Sequence, residues 1–250
     1  MDNPSLPPTR GRSYGQRMTL FSDHSIELSQ LAFHYREAGD PDARPLVLLH
    51  GLMYDARDWD EIASFLAEHY HVFALTQRGH GESAWPGTYS FELGSGDLEA
   101  FTDALALDRF TLIGHSMGAR VGCIVAENFP ERIERMVWED TAPIDVNFPE
   151  GSGEVPGAAP FDFAAATSLV HQIHNPDPSW WNDLPKITAP TLIIGGGSTS
   201  YTPQERLAEA ARLLPDGRLE TIEGAGHLVH RTRPKEYKEL LRKFLAENSE

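Results

Sequence analysis

The chain has 250 residues, of which 40% are hydrophobic and 23% charged, with a formal net charge of −16 and one cysteine, Cys123. These figures suit one large globular domain or two small ones and exclude a disordered chain, a disulfide-stapled miniprotein and a Cys-based metal cage. So acidic a surface repels phosphate backbones, which argues against a nucleic-acid partner, and it disfavours strongly anionic substrates.

Residues 1–17 are rich in Pro, Gly, Ser and Arg and are expected to form a disordered tail with little core to bury. They lack the apolar centre of a secretory signal, and no apolar run reaches about 18 residues, so a cytoplasmic protein without a membrane span is expected. From Met18 onward, short apolar runs alternate with helical patterns. Strands are predicted at Met18–Ser22, Ala32–Glu37, Leu46–Leu49, Val72–Leu75, Phe110–Ile113, Met136–Trp138, Thr191–Ile194 and Arg218–Ile222. Several are near-continuous β-branched or Leu runs, as expected where both faces of a sheet are covered; the first two are placed as an antiparallel edge pair.

Amphipathic stripes lie between the later strands. Ile62, Phe65 and Leu66 share one face, behind an acidic start at Asp58 and Glu61. Leu98, Phe101 and Leu105 form a second stripe, Leu207, Ala210, Ala211 and Leu214 a third. Tyr237, Leu240, Leu241 and Phe244 form a fourth, opened by Pro234. Strands alternating with helices imply an α/β fold: a mostly parallel central sheet of about eight strands flanked by helices. The core is assigned to 18–143 and 187–250. Residues 144–186 break the rhythm with many Gly and Pro and with Phe148, Phe161, Phe163, Trp180 and Trp181. They are expected to form a short cap insertion, with a helix over Phe163–His174, above the sheet edge where ligands bind.

The sharpest motif is Gly114-His115-Ser116-Met117-Gly118, between the strand Phe110–Ile113 and a helix running to about Phe129. This is the strand-turn-helix setting of a nucleophile elbow. Glycines flank the serine so that no Cβ obstructs the tight turn. The Ser116 hydroxyl is raised above the sheet, and the Met117 amide falls at a helix N-terminus, where partial positive charge favours an oxyanion.

On these residues the chain resembles the α/β-hydrolase family. His50-Gly51 at the end of an early strand, Arg78-Gly79-His80-Gly81-Glu82-Ser83 after the next, and Gly224-Ala225-Gly226-His227 after the last occur in the family's order and spacing. The resemblance spans Leu46 to Leu245 apart from the insertion. It implies that Leu52 supplies one oxyanion amide and Met117 the other. His227 is the candidate general base, an imidazole that titrates near the working pH and follows the last strand. His115 reads as structural.

The third catalytic member departs from the pattern. Where most of the family has an acid after the penultimate strand, this chain reads Gly195-Gly196-Gly197-Ser198-Thr199-Ser200-Tyr201-Thr202-Pro203, which places Thr199 at the acid's position. Thr199 cannot hold the negative charge that steadies an imidazolium. Zearalenone-type lactonases and part of the haloalkane dehalogenases carry the acid after the strand that follows the elbow helix, here Val137-Trp138-Glu139-Asp140. Asp140 matches that position and Glu139 is its one-residue slip. Side chains alternate along a strand, so one of the two is expected to point at His227.

Other side chains carry weaker signals. Gly51, Met53, Tyr54, Trp180 and Trp181 are candidates for the substrate pocket, with Trp59 beside Tyr54 and with Met117 at the pocket floor. Arg120 is expected to pair with a neighbouring loop in preference to binding a substrate carboxylate. Cys123 reads as a small core residue. His171 with His174, and His227 with His230, are spaced i,i+3, but no carboxylate accompanies them as a metal ligand would, so neither a metal nor a cofactor is expected. The function these features point to is hydrolysis of a neutral carboxylic ester or lactone through an acyl-enzyme on a small-molecule substrate. The alternatives are carbon–carbon bond hydrolysis, or a non-hydrolytic, ligand-binding or cyclase-like role, which the Thr199 departure motivates. The sequence leaves the oligomeric state open.

Overall fold

The sheet begins with polar, alternating strands and becomes continuously apolar toward its centre, and this gradient sets the architecture. The computed structural model describes residues 21–142 and 160–247. Its strands are β1 (Ser22–Leu28), β2 (Leu31–Ala38), β3 (Arg44–Leu49), β4 (Tyr70–Leu75), β5 (Phe110–His115), β6 (Ile133–Glu139), β7 (Thr191–Gly195) and β8 (Gly217–Thr221), in the spatial order β1-β2-β4-β3-β5-β6-β7-β8. β1 pairs antiparallel with β2, and β2 antiparallel with β4; every later pairing is parallel. The predicted edge pair is present, but its outer strand is shifted. Ser22–Leu28 forms β1 in place of Met18–Ser22, of which Met18–Leu20 lie outside the described residues. The tail 1–17 and cap residues 144–159, including Phe148, also lie outside them.

Eight helices complete the layers: α1 (Asp60–Leu66), α2 (Phe91–Ala104), α3 (Met117–Asn128), α4 (Phe163–His174), α5 (Ser179–Asp183), α6 (Gln204–Leu213), α7 (Val229–Thr232) and α8 (Pro234–Ala246), counted among the described residues. The period-2 alternation of the central strands divides the core in two. Val47, Leu49, Leu112, Met136, Trp138 and Ile193 pack with α2, α3 and α6 on one face. Leu46, Leu48, Ile113, Val137, Leu192 and Ile194 pack with α1 and α8 on the other. Apolar on both faces, these strands have no solvent side, which is why they read as unbroken hydrophobic runs.

The stretch between β6 and β7 carries α4, bounded as predicted, and α5, a five-residue helix with no sequence periodicity of its own. Asp162 caps α4 through the Ala164 N–H at 2.9 Å. Tyr89 donates to Asp162 at 2.6 Å, and the Ser168 hydroxyl and Gln172 amide donate to the Tyr89 carbonyl at 2.7 and 3.2 Å, so α4 is fastened to the loop before α2.

Candidate active site

The elbow is built as its glycines require. A Cβ on Gly114 would lie 2.6 Å from the Ala119 nitrogen, and one on Gly118 would lie 2.4 Å from the Leu49 carbonyl oxygen. Only hydrogen at these two positions lets α3 close onto β5 and β3. Ser116 is held at φ 49° and ψ −112°, a strained conformation for a residue with a side chain. The strain is fixed by the Ser116 N–H donating to the Glu139 carbonyl at 3.1 Å and by the Ser116 carbonyl accepting from Arg120 N–H at 3.1 Å. The Met117 amide opens α3.

His227 and Asp140 meet. His227 Nδ1 lies 2.8 Å from Asp140 Oδ2, with Asp140 wholly buried and His227 half-buried. Asp140 directly follows β6 and turns into the left-handed region at φ 48°, which a short polar side chain tolerates. Its backbone is anchored on both sides, N–H to the Ile194 carbonyl at 2.9 Å and carbonyl from the Thr202 hydroxyl at 2.9 Å. Its carboxylate accepts from Gly196 N–H at 2.8 Å and from the Ser200 hydroxyl. The loop after β7, where the family resemblance leads one to expect the acid, therefore supplies hydrogen-bond donors to an acid just past the neighbouring strand, and Thr199 itself is exposed. That loop also touches the histidine loop backbone to backbone: Ala225 and Gly226 N–H donate to the Gly196 carbonyl at 3.1 and 2.9 Å.

Glu139 points the other way. By strand alternation it shares the α1/α8 face with Val137, and there it binds His230 in place of His227. Its carboxylate accepts from His230 N–H at 3.0 Å and lies 2.9 and 2.8 Å from His230 Nδ1. On the far side of that ring, Asp58 Oδ2 forms an ion pair with Nε2 at 3.3 Å. Asp58, at the acidic start before α1, has a side chain only 1% exposed and packed against His230. The carboxylates beside His227 and His230 act as hydrogen-bonding and ion-pair partners. Among the described residues no cluster of three potential metal ligands is found.

The turn after β3 is equally fixed. Gln77 N–H donates to His50 Nε2 at 2.9 Å, so the proton of this ring is on Nδ1, which donates to the Gly51 carbonyl at 2.8 Å. Burial holds His50 down to about 3, and it stays neutral. His115 is likewise held down to about 4 by burial, and its ring meets the His227 carbonyl at 3.0 Å through Nε2. Leu52 is half-buried and Met53 adopts φ 70°.

A cleft of about 360 Å³, including space open to solvent, brings Ser116, Met117, Asp140 and His227 to one surface. Its walls include Trp180 but not Gly51, Leu52, Met53, Tyr54 or Trp181. Tyr54 is buried beneath Arg231, whose guanidinium lies 5.0 Å from its ring, and Trp59 is core, stacked on His230 at 4.3 Å. Phe91, Ile173 and Tyr201 line the cleft and were missed. Phe91 and Ile173 carry no sequence signal beyond helix periodicity. Tyr201 was within the loop read for its missing acid, and its ring sits 4.2 Å from that of His227. Arg120 also lines the cleft. Its partner is not a loop but Glu127 on the same helix, at 3.2 Å, and its guanidinium stacks 4.4 Å over Trp180. Cys123 is buried in the core, where burial pushes its thiol well up.

Comparison with known proteins bears on the family and the fold. A family model described as "Alpha/beta hydrolase family" matches residues 46–240. The chain is 25% identical to mouse sn-1-specific diacylglycerol lipase ABHD11, with 83% of each protein covered. It is 25% identical to Esterase YbfF of Escherichia coli K12, covering 80% of this chain and 92% of that one. Its fold is similar to that of the enol-lactonase from Burkholderia xenovorans LB400, with a TM-score of 0.77 at 22% identity over 90% of this chain and 100% of that one.

Proposed function

The chain belongs to the alpha/beta hydrolase family, and from that premise we propose that it is a serine hydrolase that cleaves a neutral carboxylic ester or lactone through an acyl-enzyme on Ser116. The observation that carries this reading is the 2.8 Å contact of His227 Nδ1 with the buried Asp140 carboxylate, in a cleft shared with Ser116. An ionised carboxylate only accepts hydrogen bonds, so Asp140 holds the imidazole proton on Nδ1 and leaves the Nε2 lone pair to serve as base. His227 takes the proton of Ser116 as its oxygen attacks the carbonyl carbon. The oxyanion is received by the backbone N–H groups of Met117, at the start of α3, and Leu52. Collapse of this intermediate expels the alcohol, which receives the proton from His227. Water, deprotonated in turn by His227, then releases the acid. No metal or cofactor takes part in this scheme. Esterase and lipase names among the relatives support ester cleavage. We assign α4, α5 and the residues around them to a cap over this cleft, because Ile173 and Trp180 furnish two of its apolar walls.

The test is direct. The wild-type protein is expected to react with a fluorophosphonate probe and to hydrolyse p-nitrophenyl butyrate, and Ser116→Ala to do neither. Asp140→Asn is expected to fold and to lose roughly 10³–10⁴ in kcat, because the imidazole is then held in the wrong tautomer. Probe labelling that persists in Ser116→Ala, or full turnover in Asp140→Asn, would overturn the assignment.

A further inference from the structure

Behind the His227–Asp140 pair lies a second, deeper histidine that the mechanism above does not use. His230 is buried, and its ring is flanked by carboxylates on both edges, Glu139 at 2.8 Å from Nδ1 and Asp58 at 3.3 Å from Nε2. A neutral imidazole has one N–H and one lone pair, so it would turn a lone pair toward one of these acids; the cation donates its Nδ1 proton to Glu139 and faces Asp58 with positive charge, as an ion pair without hydrogen-bond geometry. Arg231 approaches Asp58 at 3.5 Å, so two cations and two anions balance. The indole of Trp59 stacks on the ring at 4.3 Å and an interplanar angle of 25°, a face that favours a cation. The remaining groups facing the ring are neutral: His115 from β5 at 5.4 Å, kept neutral by burial, and Tyr237 from α8 at 6.1 Å, its phenol pushed well up by burial.

The position of this assembly gives it a consequence for the site. Glu139 holds His230 with its side chain, receives the Ser116 N–H on its carbonyl at 3.1 Å, and is joined by one peptide bond to Asp140. His230 stands in the turn of α7 that begins just after His227. Asp58 belongs to the turn between the Leu52 segment and α1. Resting on the ester-hydrolase reading, we infer that His230 is a positioning residue for turnover: as an imidazolium bridging Glu139 and Asp58 it locks the β6 tip, the histidine loop and the turn before α1 together, and its deprotonation releases the alignment of Asp140 with His227. Burial opposes the charge on the His230 ring, but Glu139 and the contact with Asp58 outweigh it and raise the group to about 9. A raised group keeps its bridge intact through neutral pH and loses it as pH rises through that value.

The experiment follows kcat and KM for p-nitrophenyl butyrate from pH 6 to 10.5 alongside NMR of histidine-labelled protein. In the wild type, kcat is expected to fall on an alkaline limb near pH 9 with KM little changed. The His230 ring is expected to titrate on that same limb, and the downfield Nδ1–H resonance of His227 to broaden with it. Glu139→Gln keeps a hydrogen-bonding group but removes one charge, so the limb should move down by roughly one pH unit or more. His230→Gln should abolish the limb and lower kcat by roughly 10–100-fold. A purely structural role would lower stability in these variants without moving a limb. The proposal is overturned by a wild-type kcat that stays flat while His230 titrates, or by a limb that Glu139→Gln leaves in place. The wild-type measurements decide the matter alone if a variant does not fold. Absence of hydrolysis and of fluorophosphonate labelling in the wild type would instead defeat the ester-hydrolase reading, and the His227 resonance still reports whether His230 controls alignment.

Discussion

At the residue scale, Asp140 combines three features that seldom coincide: complete burial, a left-handed backbone and a full set of acceptors in use. Gly196 N–H, the Ser200 hydroxyl and His227 each bind it. A buried carboxylate is tolerated only when its lone pairs are met in this way. Ser200→Ala removes one neutral donor to a charged group and is expected to cost roughly 1.5–3 kcal/mol of stability, measurable by urea denaturation. Thr199 explains why the sequence pointed to Asp140 at all. An acid absent from its usual position, with a Glu139-Asp140 pair at the next strand tip, narrowed the choice to these two; strand alternation allowed only one of them to face His227, and the structure brings Asp140 there. What could not be read was the partnership of Asp58 with His230. It joins a residue before α1 to one near the C-terminus, and no local pattern encodes that approach.

At the element scale, the central strands and long helices were legible because their chemistry is local. Leu46–Leu49 and Thr191–Ile194 are apolar on both faces, and α6 and α8 show sustained helical stripes. The misplaced β1 has the opposite character, since Ser22–Leu28 alternates mostly exposed polar residues and takes its order from pairing with β2. The helices α5 and α7, five and four residues long, are too short to carry a period and are fixed by their tertiary neighbours. Two glycines show how packing separates similar sequence positions. Gly118→Ala places a methyl against the Leu49 and His50 carbonyls at the back of the elbow, and is expected to destabilise by about 1–3 kcal/mol and to lower activity. Gly96, inside α2, has open space where its Cβ would be. Gly96→Ala is expected to stabilise the protein by about 0.4–1 kcal/mol, a contrast that paired denaturation curves would reveal.

At the scale of the whole molecule, buried histidines set a pH window. His50 and His115 are depressed by burial to about 3 and about 4, against an ordinary value of 6.5. Their contribution is complete above 6.5 and is lost as pH falls through those depressed values, because folding must then exclude a proton that the unfolded chain binds. His230, raised to about 9 by its carboxylates despite burial, contributes fully below 6.5 and loses that contribution as pH rises through about 9. Tm from calorimetry is therefore expected to fall on both sides of this interval, and Glu139→Gln to bring the alkaline decline to lower pH.

The tip of β6 has a consequence for how this protein can change. Adjacent acids serve two different imidazoles, Glu139 from the end of the strand and Asp140 from the left-handed residue that follows it, so sliding the strand by a single position would hand each ring the wrong partner. Insertions or deletions in the short Pro130–Arg132 turn that feeds it, harmless in an ordinary surface connection, should be barred by selection. Length, more than residue identity, is what a directed-evolution library would find immovable there.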